Sequence, residues 1–355
     1  MKEMVRRNKI LLLLVGVLFA AVIGWFLHAF FGGNRWEGDP EKLFFVSRGQ
    51  TFASIVDSLE ARGIIRSKSL FVFVAKISGG VTRMHIGKYV FRSGVSNNGI
   101  FQELRTGKGS TLISVAVPEG LTSKQQARLF SRALGIDSSR FVNIVHDALF
   151  ARSLGIESPS LEGYLVPDTY AFMWQQDEKE VIRRMVGEFV HFYNDSLQAQ
   201  GRVYGWTTTQ VLALASIVEG ETRLSGERAI IAGVYHNRLL KGMRLEADPT
   251  IQFMLEDGPR RVLYADLKID NPYNTYLHPG LPPGPVNNPG RASILAALYP
   301  SQHTYLYFVA NGTGGHWFSS TYGEHQRYVR MYRRMRAKQQ LSALQRPTGN
   351  LFRQE

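Results

Sequence analysis

Two glutamates close the segment TTTQVLALASIVEGETR (207–223), and this segment carries the chain's clearest chemical signal. Thr207 and Gln210 stand at capping-box spacing, so the start of a helix is well marked. Val211, Leu212, Leu214, Ala215, Ile217 and Val218 occupy nearly every side of that helix, which implies burial all round. Glu219 and Glu221 follow directly. A carboxyl group at the end of such a helix is partly withdrawn from water, which favours its protonated form and suits it to proton donation near neutral pH. The same residues also allow a plainer role, in which Glu219 or Glu221 pairs with Arg223 or Arg228 on the surface.

Three other stretches gather side chains that could bind or react, the first of them suited to a sugar. LEGYLVPDTY (161–170) packs Glu162, Tyr164, Asp168 and Tyr170 into one non-periodic run. Aromatic faces offer stacking and the polar groups can bind hydroxyls, although a structural loop would look the same. NPYNTYLHPGLPPGPVNNPG (271–290) holds Pro279, Pro282, Pro283, Pro285 and Pro289 among Gly280, Gly284 and Gly290. Such a loop is stiff without being regular and loses little entropy on binding. Asn274, Thr275 and Tyr276 are expected to be its polar face. GGHWFSSTYGEH (314–325) adds His316, Ser319, Thr321, Glu324 and His325.

Other chemistries lack their motifs. There is no cysteine, which excludes a thiol nucleophile, a disulfide framework and thiolate metal sites. The P-loop, H-E-x-x-H and G-x-S-x-G patterns are missing, and the nine histidines are scattered with no pair at i, i+4. No metal or cofactor is expected.

Several elements must position these groups. LFFVS (43–47) reads as a strand, Phe52, Ile55, Val56 and Leu59 recur at helical spacing, SLFVFVAKI (69–77) reads as a second helix and HIGKYVF (85–91) as a returning strand. Strand, helix, helix, strand in about 50 residues makes a small module. A helix near 98–105, a strand at 111–117, the turn Pro118-Glu119-Gly120 and a helix from Ser123 come next. Helical runs are expected near 139–151, 179–200, 208–221, 226–241 and 291–298. TYLYFVA (304–310) is a late strand, and a final helix starts near Tyr322. The fold class is α+β, a small mixed module before a larger domain of catalytic size.

The net charge is +13, and its placement decides its meaning. Lys2, Arg6, Arg7 and Lys9 against Glu3 leave +3 at the start. Eight basic residues from Arg327 onward against Glu324 and Glu355 leave +6 at the end, and only +4 remains for residues 10–323. The body is nearly neutral, so a nucleic-acid partner is not expected. Ile10–Phe31 is a 22-residue apolar run, and a helix of that length spans about 33 Å, enough to cross a bilayer core. A cleaved signal peptide is the alternative, but its apolar region is typically about 7–15 residues and ends in small residues. The basic flank puts the N-terminus in the cytoplasm and residues 37–355 outside, on the cell-wall side of a single-pass anchor.

Taken together, LEGYLVPDTY, SIVEGET (216–222), VYHNRL (234–239), GMRLEADPT (242–250), NPYNTYLHPGLPPGPVNNPG and GGHWFSSTYGEH resemble the endolytic murein transglycosylases of the YceG-like type, over about residues 37–340. The resemblance implies a LysM-like module at 37–110, a transglycosylase domain at 111–345, and short segments at 1–36 and 346–355. It implies catalysis by Glu219, the first acid of SIVEGET, with Glu162, Asn274, Tyr276 and Glu324 holding sugar or orienting it. Alanine changes at those four are expected to lower activity with little loss of melting temperature. The implied substrate is peptidoglycan, cut within glycan strands between N-acetylmuramic acid and N-acetylglucosamine to leave 1,6-anhydro ends. Nascent strands and wall synthases are the implied context; a non-catalytic wall-binding scaffold is the alternative. The sequence departs from the family pattern at Gly220, where a Lys is common, and at Glu246-Ala247, where Gln-Ser is common. Glu246 is expected to add a carboxylate near the cleft.

Overall fold

Lys2–Phe31 form one long helix, α1, whose portion Arg6–Phe31 is long and apolar enough to cross a membrane. Its side chains from Ile10 to Leu18 lie open rather than packed in a core. The structure is a computed structural model and describes residues 2–80, 84–255, 258 and 260–344. The expected tail at 346–355 lies outside the described residues. The chain divides into two compact units, one comprising the chain up to Val115 with Ser131–Ile136 and Tyr170–Asp177, the other holding the rest.

In the first unit α1 is followed by β1 (Gly33–Asn34), β2 (Glu41–Val46), α2 (Phe52–Ala61), α3 (Lys68–Ile77), β3 (Gly87–Arg92), β4 (Val95–Ser96), α4 (Asn97–Thr106), β5 (Ser110–Thr111) and β6 (Ile113–Ala116). The expected strand, helix, helix, strand order is present as β2, α2, α3 and β3. β2 and β3 run antiparallel, with Leu43 opposite Val90 and Phe45 opposite Lys88, and β5 extends the sheet beyond β3. Alternation along β2 sends Phe44 and Val46 inward, where they meet Leu59, Phe71, Tyr89, Phe91 and Phe101. Thr51, Ser67 and Ser96 cap the three helices by accepting from Ser54, Leu70 and Gly99 amides. The last turn of α1 joins this unit: Ala29 and Phe30 pack on Val74, and Asn97 Nδ2 donates to the Ala29 carbonyl at 3.1 Å.

The chain continues as α5 (Ser123–Leu134), α6 (Ser138–Val145), α7 (Ala148–Ser153), β7 (Thr169–Phe172), α8 (Glu178–Phe192), α9 (Asp195–Val203), α10 (Thr208–Glu221), α11 (Ser225–Leu240), α12 (Asp248–Met254), α13 (Arg291–Leu298), β8 (Tyr307–Ala310), β9 (His316–Ser319) and α14 (Tyr322–Leu344). Two expected helices are each divided in two. The 139–151 run breaks because the Asp147 carboxylate caps a new helix at the Leu149 and Phe150 amides. The 179–200 run breaks where Asn194 does the same for Ser196 and Leu197. β8 and β9 form an antiparallel hairpin with Phe308 opposite Phe318, so part of GGHWFSST is a strand. α10 lies at the centre of the second unit, against α9, α11, α12 and α13. The fold is a mixed α+β one with a single apolar N-terminal helix among the described residues.

Candidate active site

The capping box at the start of α10 forms as its residues require. Gln210 N donates to Thr207 Oγ1 at 3.3 Å and Thr207 N to Gln210 Oε1 at 2.9 Å. From Val211 to Val218 every residue of α10 is buried. The proline-rich loop is fastened to this helix by Ser216, whose hydroxyl accepts from Val286 N at 2.9 Å while its carbonyl accepts from Asn287 Nδ2 at 2.8 Å. That clamp carries Gly290, the N-cap of α13, to the end of α10.

Glu219 therefore sits at the start of α13. Its Oε2 accepts from Gly290 N at 2.9 Å, and its Oε1 accepts from Arg228 Nη2 at 3.2 Å. Only 6% of its side chain and 10% of that of Arg228 is exposed, so the pair is buried rather than superficial. Arg228 also reaches Glu119 Oε2 with the same Nη2 at 3.1 Å, and the Glu119 side chain is 46% exposed. One guanidinium nitrogen thus serves two carboxylates. Burial, then the charge of Glu219, raise the Glu119 carboxyl above its ordinary pKa, and Arg228 works against them.

Glu162 and Asn288 explain how Glu119 comes to stand there. Asn288 exchanges backbone hydrogen bonds with the Gly120–Leu121 corner, and its Nδ2 donates to the Leu121 carbonyl and to Glu162 Oε1. Its Oδ1 accepts from the Gly163 and Leu165 amides. Glu162, buried, also accepts from Ser123 N and Oγ. Burial pushes its pKa up to about 7 against these donors. Glu162 is thus spent on holding the Pro118–Gly120 turn against the Asn288–Gly290 segment.

Other expected site residues fall elsewhere. Asn274 and Thr275 are buried, not the polar face expected of them. Asn274 Nδ2 donates to the Leu267 and Ile269 carbonyls and Oδ1 accepts from Tyr276 N, which closes the loop on itself. Tyr276 is the partly exposed member, and its hydroxyl donates to Asp248 Oδ1 at 2.7 Å. Tyr164 and Tyr170 are core residues, the first edge-to-face with Phe189 and the second stacked on Phe172, and Asp168 pairs with Arg291. Glu324 and Thr321 exchange hydrogen bonds as the reciprocal cap of α14. His316 binds Glu227 through Nδ1 at 2.7 Å. Glu246 pairs with Arg238 at 3.1 Å and acts electrostatically on Tyr276 and His325. The cavity lined by Val90, Arg92, Glu103 and Thr111 belongs to the first unit and holds none of these groups.

Arg228, Glu119 and Asn288 were not among the expected site residues. The sequence offered Arg228 as a partner of Glu219 or Glu221 on the surface; it pairs with Glu219, but the pair is buried. Glu119 was legible only as the middle of a turn. Among the described residues no group of three His, Asp or Glu is arranged to hold a metal ion. The arrangement can pass a proton: a nearly buried carboxyl with donors on both oxygens, and a second carboxyl sharing one of those donors.

The family model described as the YceG-like family matches residues 44–331. A Bacillus subtilis (strain 168) protein named endolytic murein transglycosylase is 30% identical over 301 residues, covering 81% of this chain and 83% of that protein. A protein of the same name from Streptococcus pneumoniae (strain ATCC BAA-255 / R6) is 26% identical over 318 residues, covering 80% of this chain and 57% of that protein. Among solved structures, a YceG-like protein from Listeria monocytogenes has a TM-score of 0.59 at 30% identity, covering 82% of this chain and 99% of the other.

Proposed function

The chain belongs to the YceG-like family, and from that membership we propose that it is an endolytic murein transglycosylase, cutting peptidoglycan between N-acetylmuramic acid and N-acetylglucosamine within glycan strands. The observation that carries this reading is the carboxyl of Glu219, nearly buried at the end of an apolar helix with a donor on each oxygen.

Glu219 first gives its proton to the glycosidic oxygen as the bond from that oxygen to the muramoyl C1 breaks. The ionised carboxylate then takes the proton of the same sugar's 6-hydroxyl, whose oxygen bonds to C1 and closes a 1,6-anhydro ring. No water enters, and an intramolecular nucleophile gains its rate from proximity. The Gly290 amide and Arg228 each donate to one oxygen of Glu219, the base of the second step. Tyr276 is the residue proposed to face sugar. Glu162 and Asn274 are assigned to holding the walls of the site, since their polar atoms are engaged with neighbouring protein groups, whereas Glu324 is exposed and caps α14.

In the same reading, residues 1–36 form a cytoplasmic tail and single-pass anchor, 37–110 a LysM-like module that binds glycan, and 111–345 the catalytic domain outside the membrane. The basic N-terminal flank supports this orientation. Nascent strands, whose length the enzyme limits beside the wall synthases, are the proposed substrate. Mass spectrometry of glycan strands digested with the full-length protein tests the activity: 1,6-anhydro ends are expected, and intact strands would favour a binding scaffold.

A further inference from the structure

Glu219 meets two donors, one of them charged, so neither of its carboxyl oxygens is free of a protein hydrogen bond. A group that begins the reaction as an acid needs that grip to loosen. The second carboxylate on Arg228 supplies a means. Glu119 and Glu219 contact the same nitrogen at 3.1 and 3.2 Å, while the buried Nε of Arg228 has no hydrogen-bond partner. The guanidinium is therefore held by one corner and can turn toward either carboxylate.

The fold places Glu119 with care. The turn that carries it is tied to the 287–290 segment through Asn288, and its carboxylate lies over Gly290, where any β-carbon would collide with it. The charged groups in contact here are Glu119 from the turn, Glu219 from α10 and Arg228 from α11, with the Gly290 amide from α13. The neighbouring Glu227 is engaged by His316 instead.

Resting on the function proposed above, we propose that Glu119 is a positioning residue for the acid–base step, competing with Glu219 for Arg228. With the guanidinium drawn toward Glu119, Glu219 keeps its proton for the leaving oxygen. Once Glu219 is ionised, Arg228 returns to it and stabilises the base that accepts the 6-hydroxyl proton.

The test compares full-length wild type, Glu119→Gln, Glu119→Asp, Arg228→Gln and the double variant Glu119→Gln/Arg228→Gln, on isolated glycan strands across pH, with melting temperatures alongside. In Glu119→Gln the guanidinium rests on Glu219 alone, so kcat should fall about tenfold near neutral pH with little change in KM, within the range of acid–base effects. The alkaline limb of the rate profile should move to lower pH, and Glu119→Asp should fall between the two. In the Arg228→Gln background Glu119→Gln should add nothing. An unaltered profile in Glu119→Gln, or an equal loss in both backgrounds, overturns the inference while Glu219→Gln remains inactive. Activity retained by Glu219→Gln would overturn the underlying reading and this inference with it.

Discussion

Tyr235 donates its hydroxyl to Oε1 of Glu221 across 2.7 Å, and this contact separates the two acids of SIVEGET. Glu219 turns to Arg228 and the Gly290 amide, whereas Glu221 faces a buried phenol on α11. Burial pushes the Glu221 carboxyl up to about 7; the Tyr235 bond opposes that rise and the charge of Asp248 adds to it. The same pair raises Tyr235 well above the ordinary tyrosine range, chiefly through burial. Two residues of spacing on a helix thus give two carboxyls with different environments and, on the proposed function, different work.

Glu221 should make stability depend on pH. Its folded pKa lies above the ordinary 4.5, so the folded state holds the proton more tightly, and the contribution is complete at low pH and lost as pH rises through about 7. Glu221→Gln keeps an acceptor for Tyr235 and removes the titration. Melting curves at several pH values should show the variant gaining on the wild type from about pH 4.5 to 7.5, by on the order of 2 kcal/mol after allowance for partial exposure. A constant difference across that range would contradict the assignment.

Asn274→Ala and Glu162→Gln should lower the melting temperature. Asn274 satisfies two backbone carbonyls, and its loss leaves them without their donor, which costs about 1–3 kcal/mol. Glu162→Gln turns an amide donor toward the Ser123 amide or Asn288, at a comparable cost. This departs from the expectation from sequence that alanine changes at these two positions would spare stability. Tyr276→Phe removes only the bond to Asp248 and should melt within about 1 kcal/mol of wild type. Calorimetry distinguishes the two classes.

Much of the scaffold could be read from local pattern. Thr207 and Gln210 announced the start of α10, the run LFFVS announced β2, and the apolar run 10–31 announced α1. Asp147 and Asn194 were harder, because each sits inside an apolar periodicity that continues past it, and only the cap geometry reveals the break. The Glu119–Arg228 contact joins residues 109 positions apart, with nothing local in either to declare the other. Glu162 and Asn274 looked like ligand groups because polar residues beside tyrosines look alike whether they face a sugar or a neighbouring backbone. The fold decides between those uses.

Gly290→Ala should reduce turnover more than stability. A methyl there meets the carboxylate of Glu119, a flexible side-chain end that can yield, so the melting temperature should fall less than in Asn274→Ala. The displaced Glu119 would leave Arg228 to Glu219. Steady-state kinetics should show a lower kcat at similar KM, and unchanged kcat would show that the close approach is incidental.

Both proton transfers are assigned to the Glu219 carboxyl. The most direct measurement is mass spectrometry of isolated glycan strands incubated with full-length Glu219→Gln beside wild type, with the fold of the variant checked by its melting curve. The wild type is expected to leave 1,6-anhydro ends and a folded Glu219→Gln none. Anhydro-ended fragments from that variant would contradict this assignment.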